Sequence, residues 1–239
     1  MSGCLNGQRL LLVTQGPTVS WAPRAKLTSV SSVGIIGAGP AGLFVANVMV
    51  RAGIDCEIFE RLDEGAVRAR ARAGLIEDRT ARLLGAYGLA DGMLKRGKTL
   101  GACEFRRGGV GHVFDCGSLS GALHHVYPQQ FLVADLIDSL RSIGTEVRFA
   151  TPVKSVEFGD GPVVRADDGT TVDCDFVLGC DGFHGVSRMA ATGAVCSGVD
   201  FGAEWLALLA EAAPSSEGIV KLFENACGSV DVSGLYGGT

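Results

Sequence analysis

Short apolar runs and one amphipathic stretch alternate between residues 33 and 60. The run VGIIGAG at residues 33–39 predicts a buried strand that enters a tight turn. Pro40–Arg51 predicts a helix with a broad apolar face, and Gly53 ends it. The stretch DCEIFE at residues 55–60 predicts a second short strand. A strand, a helix and a strand in this order predict a βαβ unit, whose parallel strands need a right-handed crossover.

Further elements follow along the middle of the chain. Residues 77–89 predict a helix, and residues 105–114 have the composition of a strand interrupted by glycines. Residues 130–144 predict an amphipathic helix. Its apolar face has the spacing i, i+3, i+4 and i+7 and consists of Val133, Leu136, Ile137 and Leu140. Residues 146–158 predict two short strands separated by a proline.

The last part of the chain is less regular. Residues 163–182 predict a strand, a turn at Asp168 and Gly169, and a second strand. The second strand ends in the apolar run FVLGC, which suits the centre of a sheet. Residues 204–211 are compatible with either a strand or a helix, and the tail from Ala226 onward predicts no element.

Composition and charge narrow the class of protein. Apolar residues make up 47% of the chain and charged residues 20%, which is enough to bury a sizeable core. The net charge of −5, with acidic and basic residues interleaved, argues against a nucleic-acid partner. No apolar run is long enough to span a bilayer, so we expect no membrane partner and a cytoplasmic protein. The eight cysteines form no C-x-x-C pair, which favours reduced thiols over disulfides or a metal site.

Three glycines follow the first predicted strand in the pattern G-x-G-x-x-G. We expect Gly37 to permit the tight turn, Gly39 to leave room for a diphosphate, and Gly42 to let the helix approach the strand. A diphosphate there would meet the unpaired N–H groups at a helix N-terminus. Glu60, 18 residues after Gly42, ends the second strand, where a carboxylate accepts hydrogen bonds from ribose hydroxyls. The pattern alone leaves FAD and NAD open.

A second candidate segment, VLGCDGFHGVSR, includes the end of the last predicted strand. It places Asp181 and Gly182 directly after the strand, with His184 and Arg188 beyond them. A carboxylate and a basic group can lie beside a bound nucleotide in such a segment. An ordinary strand-ending turn is the alternative for Asp181 and Gly182, and a structural histidine is the alternative for His184.

Arginines alternate with alanines in the segment RARAR at residues 68–72. An extended chain would project Arg68, Arg70 and Arg72 to one side. A guanidinium fork matches phosphate oxygens, so these side chains are candidates for phosphate binding. A solvated basic edge is the alternative.

Four stretches resemble the class A flavoprotein aromatic monooxygenases, and among them the hydroxylases of 4-hydroxybenzoate: VGIIGAGPAGL, ERLDEGAVRARARAGLIE, VYPQQFLVADL and CDFVLGCDGFHGVSR. The resemblance implies an α/β fold, in which a Rossmann-like FAD-binding domain with a parallel sheet precedes a mixed or antiparallel substrate-domain sheet. It implies FAD as the cofactor, NADPH or NADH as the reductant, and O₂ and a small aromatic acid as substrates. Hydroxylation would proceed through a flavin C4a-hydroperoxide.

The resemblance also assigns roles to individual residues. Gly37, Gly39 and Gly42 match the diphosphate turn, and Glu60 matches the ribose acid, with Arg61 beside it. The segment that matches the lining of the flavin and its phosphates consists of Arg70, Ala71, Arg72, Ala73, Gly74 and Leu75.

Four more residues complete the cofactor-binding candidates. Gln129 matches a further FAD contact, and His184 and Arg188 match residues that meet the phosphates of NADPH. Asp181 is included because its segment favours a flavin over NAD. No catalytic residue and no metal ligand is assigned.

The resemblance, together with the lack of periodicity in residues 1–29, divides the chain into three parts. Residues 1–29 are expected to be a disordered extension, residues 30–196 the FAD-binding domain, and residues 197–239 the truncated start of the substrate domain with an unmatched tail. Family members continue past the end of this chain, so the resemblance implies a fragment, and a homodimer for the complete protein. Two alternatives stay open: a non-catalytic remnant that binds FAD weakly or not at all, and an NAD-linked dehydrogenase with the same nucleotide fold.

Overall fold

The computed structural model describes residues 32–107, 110–191, 219–225 and 228–232. The helices in these residues are α1 (Pro40–Arg51), α2 (Glu64–Ala69), α3 (Asp78–Ala86), α4 (Asp91–Arg96), α5 (Cys116–Ser120), α6 (Gln129–Ser142) and α7 (Val186–Ala190). The strands are β1 (Ser32–Ile36), β2 (Asp55–Phe59), β3 (Leu75–Glu77), β4 (Lys98–Leu100), β5 (Ala102–Arg107), β6 (Val110–Asp115), β7 (His124–Val126), β8 (Val147–Arg148), β9 (Val153–Phe158), β10 (Pro162–Ala166), β11 (Thr171–Asp173), β12 (Phe176–Gly179), β13 (Ile219–Asn225) and β14 (Gly228–Val232).

The chain divides into two compact units. The first comprises Met1–Arg70 and Val133–Val199, and the second comprises Ala71–Leu132 and Asp200–Thr239. The limit between Leu132 and Val133 falls within the sequence of helix α6. The predicted limits at residues 30 and 196 stay a prediction, and both the extension at residues 1–29 and the predicted element at residues 204–211 lie outside the described residues.

A parallel sheet forms the centre of the first unit. Its strand order is β12-β1-β2-β8, and every adjacent pair is parallel. Helix α1 connects β1 to β2, which confirms the predicted βαβ unit. The helix ends at Arg51 with Ala52 as its C-cap residue, and Gly53 follows with a φ of +79°. This backbone conformation is the one that favours glycine after a helix.

An antiparallel sheet of order β11-β10-β9 packs against the parallel sheet. The apolar cluster between them consists of Ile36, Phe59, Val164, Cys174 and Val177. The approach is close at Gly34, where an added Cβ would lie 2.9 Å from the Cys174 sulfur. A side chain at this position of β1 would therefore push the two sheets apart.

One predicted pairing in this region was wrong. The turn at Gly169, with a φ of +88°, joins β10 to β11 and not to the apolar run FVLGC. That run forms β12, which lies at the edge of the described parallel sheet instead of its centre. The chain changes sheets because Asp175 binds β1: its N–H donates to the Ser32 carbonyl at 3.0 Å, and its carboxylate accepts from the Ser32 N–H at 3.0 Å.

The predicted apolar face of α6 is confirmed. Val133, Leu136, Ile137 and Leu140 are all at most 4% exposed. A buried polar contact joins this part of α6 to α1, because Asn47 donates to the Leu136 carbonyl at 3.0 Å.

Two small sheets form the second unit. One has the order β3-β7-β4 and is antiparallel. The other has the order β14-β13-β5-β6, in which β5 and β13 are parallel and the other pairs antiparallel. This mixed sheet confirms the predicted fold class.

The structure corrects two further predictions in the second unit. Residues 105–114 belong to two antiparallel strands, β5 and β6, and not to one interrupted strand. The tail after Ala226, for which no element was predicted, contains β14. Its five residues pair antiparallel with β13, the preceding strand, and a short glycine-containing segment has little strand propensity of its own.

No helix in the described residues has the length and apolar character needed to cross a bilayer. In the same residues, no cluster of three or more His, Cys, Asp or Glu side chains is arranged to hold a metal ion.

Candidate functional site

The glycine turn, residues 37–42, joins β1 to α1 in the first unit. Gly37 has a φ of +102°, and its N–H donates to the Phe59 carbonyl at 2.7 Å. A Cβ on Gly37 would lie 2.5 Å from the Cys180 carbonyl oxygen. A Cβ on Gly42 would overlap the Gly37 carbonyl oxygen. Both glycines therefore allow backbone segments to approach more closely than a side chain would permit.

Gly39 differs from these two glycines because the space beside it is open. No described atom lies within 4 Å of the position its Cβ would occupy. Gly39 is also the residue before α1, and no side chain caps the helix there. The first N–H groups of a twelve-residue helix thus adjoin a space that a side chain at position 39 would fill.

Glu60 lies beside this turn at the end of β2. Its carboxylate accepts from the Ala38 N–H at 2.8 Å and from the Leu62 N–H at 3.0 Å. Its backbone is fixed as well, because the Glu60 N–H donates to the Arg148 carbonyl at 2.9 Å. The structure therefore places a half-buried acceptor next to the glycine turn, as the spacing predicts.

Asp181 and the turn after β12 also adjoin Gly37. The Cys180 N–H donates to the Ile36 carbonyl at 2.8 Å, which holds the segment against β1. The Asp181 carboxylate, however, accepts from the N–H and the hydroxyl of Ser187, the former at 3.0 Å. The backbone of Asp181 faces the glycine turn, whereas its carboxylate stabilises the start of α7.

Ser187 is a residue that the sequence reasoning did not identify. It is 8% exposed, and a Cβ on Gly179 would overlap its hydroxyl. The only available signal was a serine near the start of a short helix, six residues after the aspartate.

His184 and Arg188 surround an exposed aromatic ring on the same segment. Phe183 is 74% exposed, with the His184 ring edge-on at 4.9 Å and the Arg188 guanidinium carbon 4.5 Å from its centroid. The Nε atom of Arg188 is buried and has no hydrogen-bond partner among the described residues. The segment thus offers a cation with one unsatisfied donor.

The arginine segment does not have the predicted extended form throughout. Arg68 lies in α2, where its Nε binds Glu64 at 2.7 Å and its Nη2 binds Asp138 at 2.5 Å. Asp63 caps this helix by accepting from the Ala66 N–H at 2.8 Å. The chain becomes extended only at Arg70, with φ −69° and ψ 99°. Arg68 is therefore an ion-pair residue of α2, which corrects its grouping with Arg70 and Arg72.

The remaining cofactor-binding candidates of the first unit are two exposed arginines. Arg61 and Arg70 are both exposed, and neither forms an ion pair within the described part of the chain. Arg61 follows Glu60 directly, whereas Arg70 is the C-cap residue after α2.

The other candidates belong to the second unit. Ala71, Arg72 and Ala73 are exposed, and Leu75 begins β3. Gly74 is buried, and a Cβ there would lie 2.7 Å from the Tyr127 carbonyl oxygen. Gln129 begins α6 and is half-buried.

Tyr127, in the second unit, also lies at the candidate segment and was not identified from the sequence. It is fully buried, its N–H donates to the Gly74 carbonyl at 2.7 Å, and its hydroxyl accepts from Arg96. Gly74 is thus required for close packing of two backbone segments.

The parallel sheet, the glycine turn and the acid at the end of β2 define a protein of the Rossmann-type dinucleotide-binding class. A profile of the FAD-binding domain family matches residues 30–228. The chain belongs to this family.

Comparison with curated proteins shows relatives that are described as monooxygenases. The chain is 29% identical to the p-hydroxybenzoate hydroxylase of Acinetobacter baylyi, over 81% of this chain and 50% of that protein. It is 31% identical to a 3-amino-4-hydroxybenzoate 2-monooxygenase of Streptomyces platensis, over 67% of this chain and 42% of the relative. The chain therefore spans about half the length of the curated relatives it matches.

Solved structures show the same fold. The Diels-Alderase PyrE3 is 28% identical, with a TM-score of 0.59 over 67% of this chain and 34% of that chain. PqsL of Pseudomonas aeruginosa is 21% identical, with a TM-score of 0.64 over 72% of this chain and 48% of that chain. The latter similarity supports the fold alone.

Proposed function

We propose that the glycine turn binds the diphosphate of FAD and that the protein is an FAD-dependent aromatic hydroxylase. Its substrates would be 4-hydroxybenzoate and O₂, its reductant NADPH or NADH, and its product 3,4-dihydroxybenzoate. The observation that carries the proposal is the open space at Gly39. This space adjoins the N-terminus of α1, which no side chain caps, and Glu60 contacts the neighbouring residue Ala38.

The residues of the first unit suit the adenosine diphosphate half of the cofactor. The first N–H groups of α1 can donate to the diphosphate, and the helix dipole favours the negative charge. Glu60 uses its carboxylate oxygens to accept from two backbone N–H groups, and each oxygen has a further lone pair for a ribose hydroxyl. Bound FAD supplies the activation of O₂ once it has been reduced.

The basic side chains of the candidate site are proposed to bind different phosphate groups. Arg61 and Arg70 are exposed and are proposed to bind phosphate oxygens, to which guanidinium groups donate in pairs. Arg188 has a free Nε donor, and it is proposed with His184 to meet the phosphates of NADPH. Arg72, Gly74 and Gln129, in the second unit, are proposed to contribute to FAD binding through the matched motifs.

The substrate class is supported by the names of two relatives, both of which act on hydroxybenzoates. A second candidate is an FAD-binding protein that does not hydroxylate. It is favoured by similarity to PyrE3 and to the dialkyldecalin synthase of Streptomyces rugosporus, which is 31% identical over 70% of this chain.

The two candidates are separated by a coupling assay on the full chain saturated with FAD. The hydroxylase predicts that 4-hydroxybenzoate accelerates NADPH or NADH consumption and that 3,4-dihydroxybenzoate forms, as measured by chromatography. Benzoate, which lacks the phenol, is the control ligand. Retention of FAD with peroxide as the only product, unchanged by 4-hydroxybenzoate, would contradict the hydroxylase and leave the second candidate. Failure to retain FAD would contradict both.

A further inference from the structure

Two cysteines of the second unit lie next to each other. Cys103 is on β5, and Cys116 begins α5 directly after β6. Their sulfur atoms are 3.5 Å apart. The pairing of β5 with β6 produces this proximity, because Cys103 is opposite Phe114, two residues before Cys116.

The backbone on both sides of the pair is fixed. The Gly117 N–H donates to the Gly101 carbonyl at 2.9 Å, so the chain after Cys116 is bound to the chain before Cys103. Asp115 accepts from the Ser118 N–H at 2.9 Å and from its hydroxyl at 2.6 Å, which fixes the turn that carries Cys116. These backbone contacts therefore keep the two cysteines next to each other, and no large side-chain movement is needed to bring their sulfurs together.

Both thiols are half-buried, so a small oxidant can reach them. The other described cysteines, Cys56, Cys174 and Cys180, have no thiol neighbour within the described residues. Cys103 and Cys116 thus differ from the other described cysteines in having a thiol partner.

We propose that Cys103 and Cys116 form a reversible dithiol–disulfide site that is oxidised by a hydroperoxide. The site does not depend on bound FAD or on the proposed function. Cysteine oxidation of this kind starts with a thiolate and continues with a neighbouring thiol that resolves the first product.

The reaction has two balanced steps with hydrogen peroxide as the oxidant. In the first, the Cys116 sulfur attacks one peroxide oxygen, the O–O bond breaks, a sulfenic acid forms, and the released hydroxide takes a proton to become water. In the second, the Cys103 sulfur attacks the Cys116 sulfur, the S–O bond breaks, and a second water leaves. The two thiols lose two electrons and two protons, and the peroxide is reduced to two waters.

The order of the two sulfurs follows from their surroundings. Burial, with a contribution from the adjacent Cys116, raises the pKa of the Cys103 thiol. A thiol with a raised pKa holds less thiolate at neutral pH and is the poorer first nucleophile. Cys103 also lies on the inner strand β5, whereas Cys116 follows β6, the edge strand of the described sheet. An oxidant therefore reaches Cys116 first, and Cys103 is assigned the second, resolving step.

The test treats the full chain with hydrogen peroxide under native conditions and then alkylates it after denaturation. The number of alkylatable thiols should fall by two from the eight cysteines of the chain. Peptide mapping without reductant should find the peptides of Cys103 and Cys116 joined, and dithiothreitol should restore both thiols. If both residues remain alkylatable, or are oxidised separately to sulfinic acids, the proposal is overturned.

Three serine variants sharpen the test. Cys103→Ser should accumulate a dimedone-reactive sulfenic acid at Cys116, whereas Cys116→Ser should show much less at Cys103. Equal labelling of the two variants would overturn the assigned order. Cys56→Ser is the matched control and should retain the cross-link in full. Because the decisive mapping uses the unmodified chain, a variant that fails to fold does not remove the test.

Discussion

Gly37 shows how one residue can be required for two independent reasons. Its φ of +102° is unfavourable for any side chain, and the Cys180 carbonyl oxygen would lie 2.5 Å from an added Cβ. Gly169 meets only the first condition, because its φ is +88° and the space around it is open. A comparison of substitutions at the two glycines therefore distinguishes the cost of a positive φ from the cost of steric overlap.

The substitution Gly37→Ala is expected to lower the free energy of unfolding by about 2–5 kcal/mol, since left-handed strain and overpacking add. Gly169→Ala should lower it by about 1 kcal/mol, through strain alone. Denaturant unfolding followed by circular dichroism measures both. Equal losses in the two variants would show that the approach of Cys180 to the turn carries no energetic weight.

At the same scale, local spacing predicted the position of Glu60 after β2, but it did not predict the direction of the Asp181 carboxylate. The position of Glu60 follows from the length of a βαβ unit, and that length is visible in the chain. The carboxylate of Asp181 is directed by Ser187, a contact that depends on how the chain turns after β12. A serine six residues after an aspartate is only a weak signal for such a contact.

Elements with a strong apolar periodicity were predictable, because the same periodicity determines which face of the element is buried. Helix α6 presents an apolar face at helical spacing, and that face is buried. Helix α2 was missed because its stability comes from charges. Arg141 and Arg68 both bind Glu64, the former at 2.6 Å, and Asp63 caps the first turn. A six-residue helix held by ion pairs and a cap has no apolar period to detect.

These ion pairs predict a pH dependence of stability. Hydrogen bonds from Arg141 and then Arg68 lower the pKa of Glu64 below its usual 4.5. A lowered folded-state pKa stabilises the protein at pH values above 4.5, and this contribution is lost as the pH falls through the folded value.

The difference in free energy of unfolding between the wild type and Glu64→Gln should therefore be about 1 kcal/mol at neutral pH and shrink below pH 4.5. Urea unfolding at several pH values measures it. Glu157→Gln, which removes a single exposed pair with Arg165, is the control and should cost less. A difference for Glu64→Gln that stays constant down to acid pH would contradict the ion-pair role.

For the whole molecule, the proposed binding of FAD has a thermodynamic consequence. A ligand that binds only the folded state stabilises it, by about 2.7 kcal/mol at a free concentration of 100 times Kd. The first unit is proposed to hold the adenosine diphosphate half of FAD. ADP should therefore raise the melting temperature as FAD does, whereas riboflavin, which lacks the diphosphate, should not.

The variant that tests this linkage is Gly39→Val. The space beside Gly39 is open, so valine should leave the unliganded melting temperature nearly unchanged while it fills the place proposed for the diphosphate. The shifts caused by FAD and ADP should then disappear, with a loss of affinity of more than about tenfold, or 1.4 kcal/mol. Gly159→Val is the matched control, because Gly159 also has open space around it but lies in the loop between β9 and β10. It should keep both shifts. If Gly39→Val retains them as well, the diphosphate does not lie against the start of α1, and the cofactor assignment loses its structural basis.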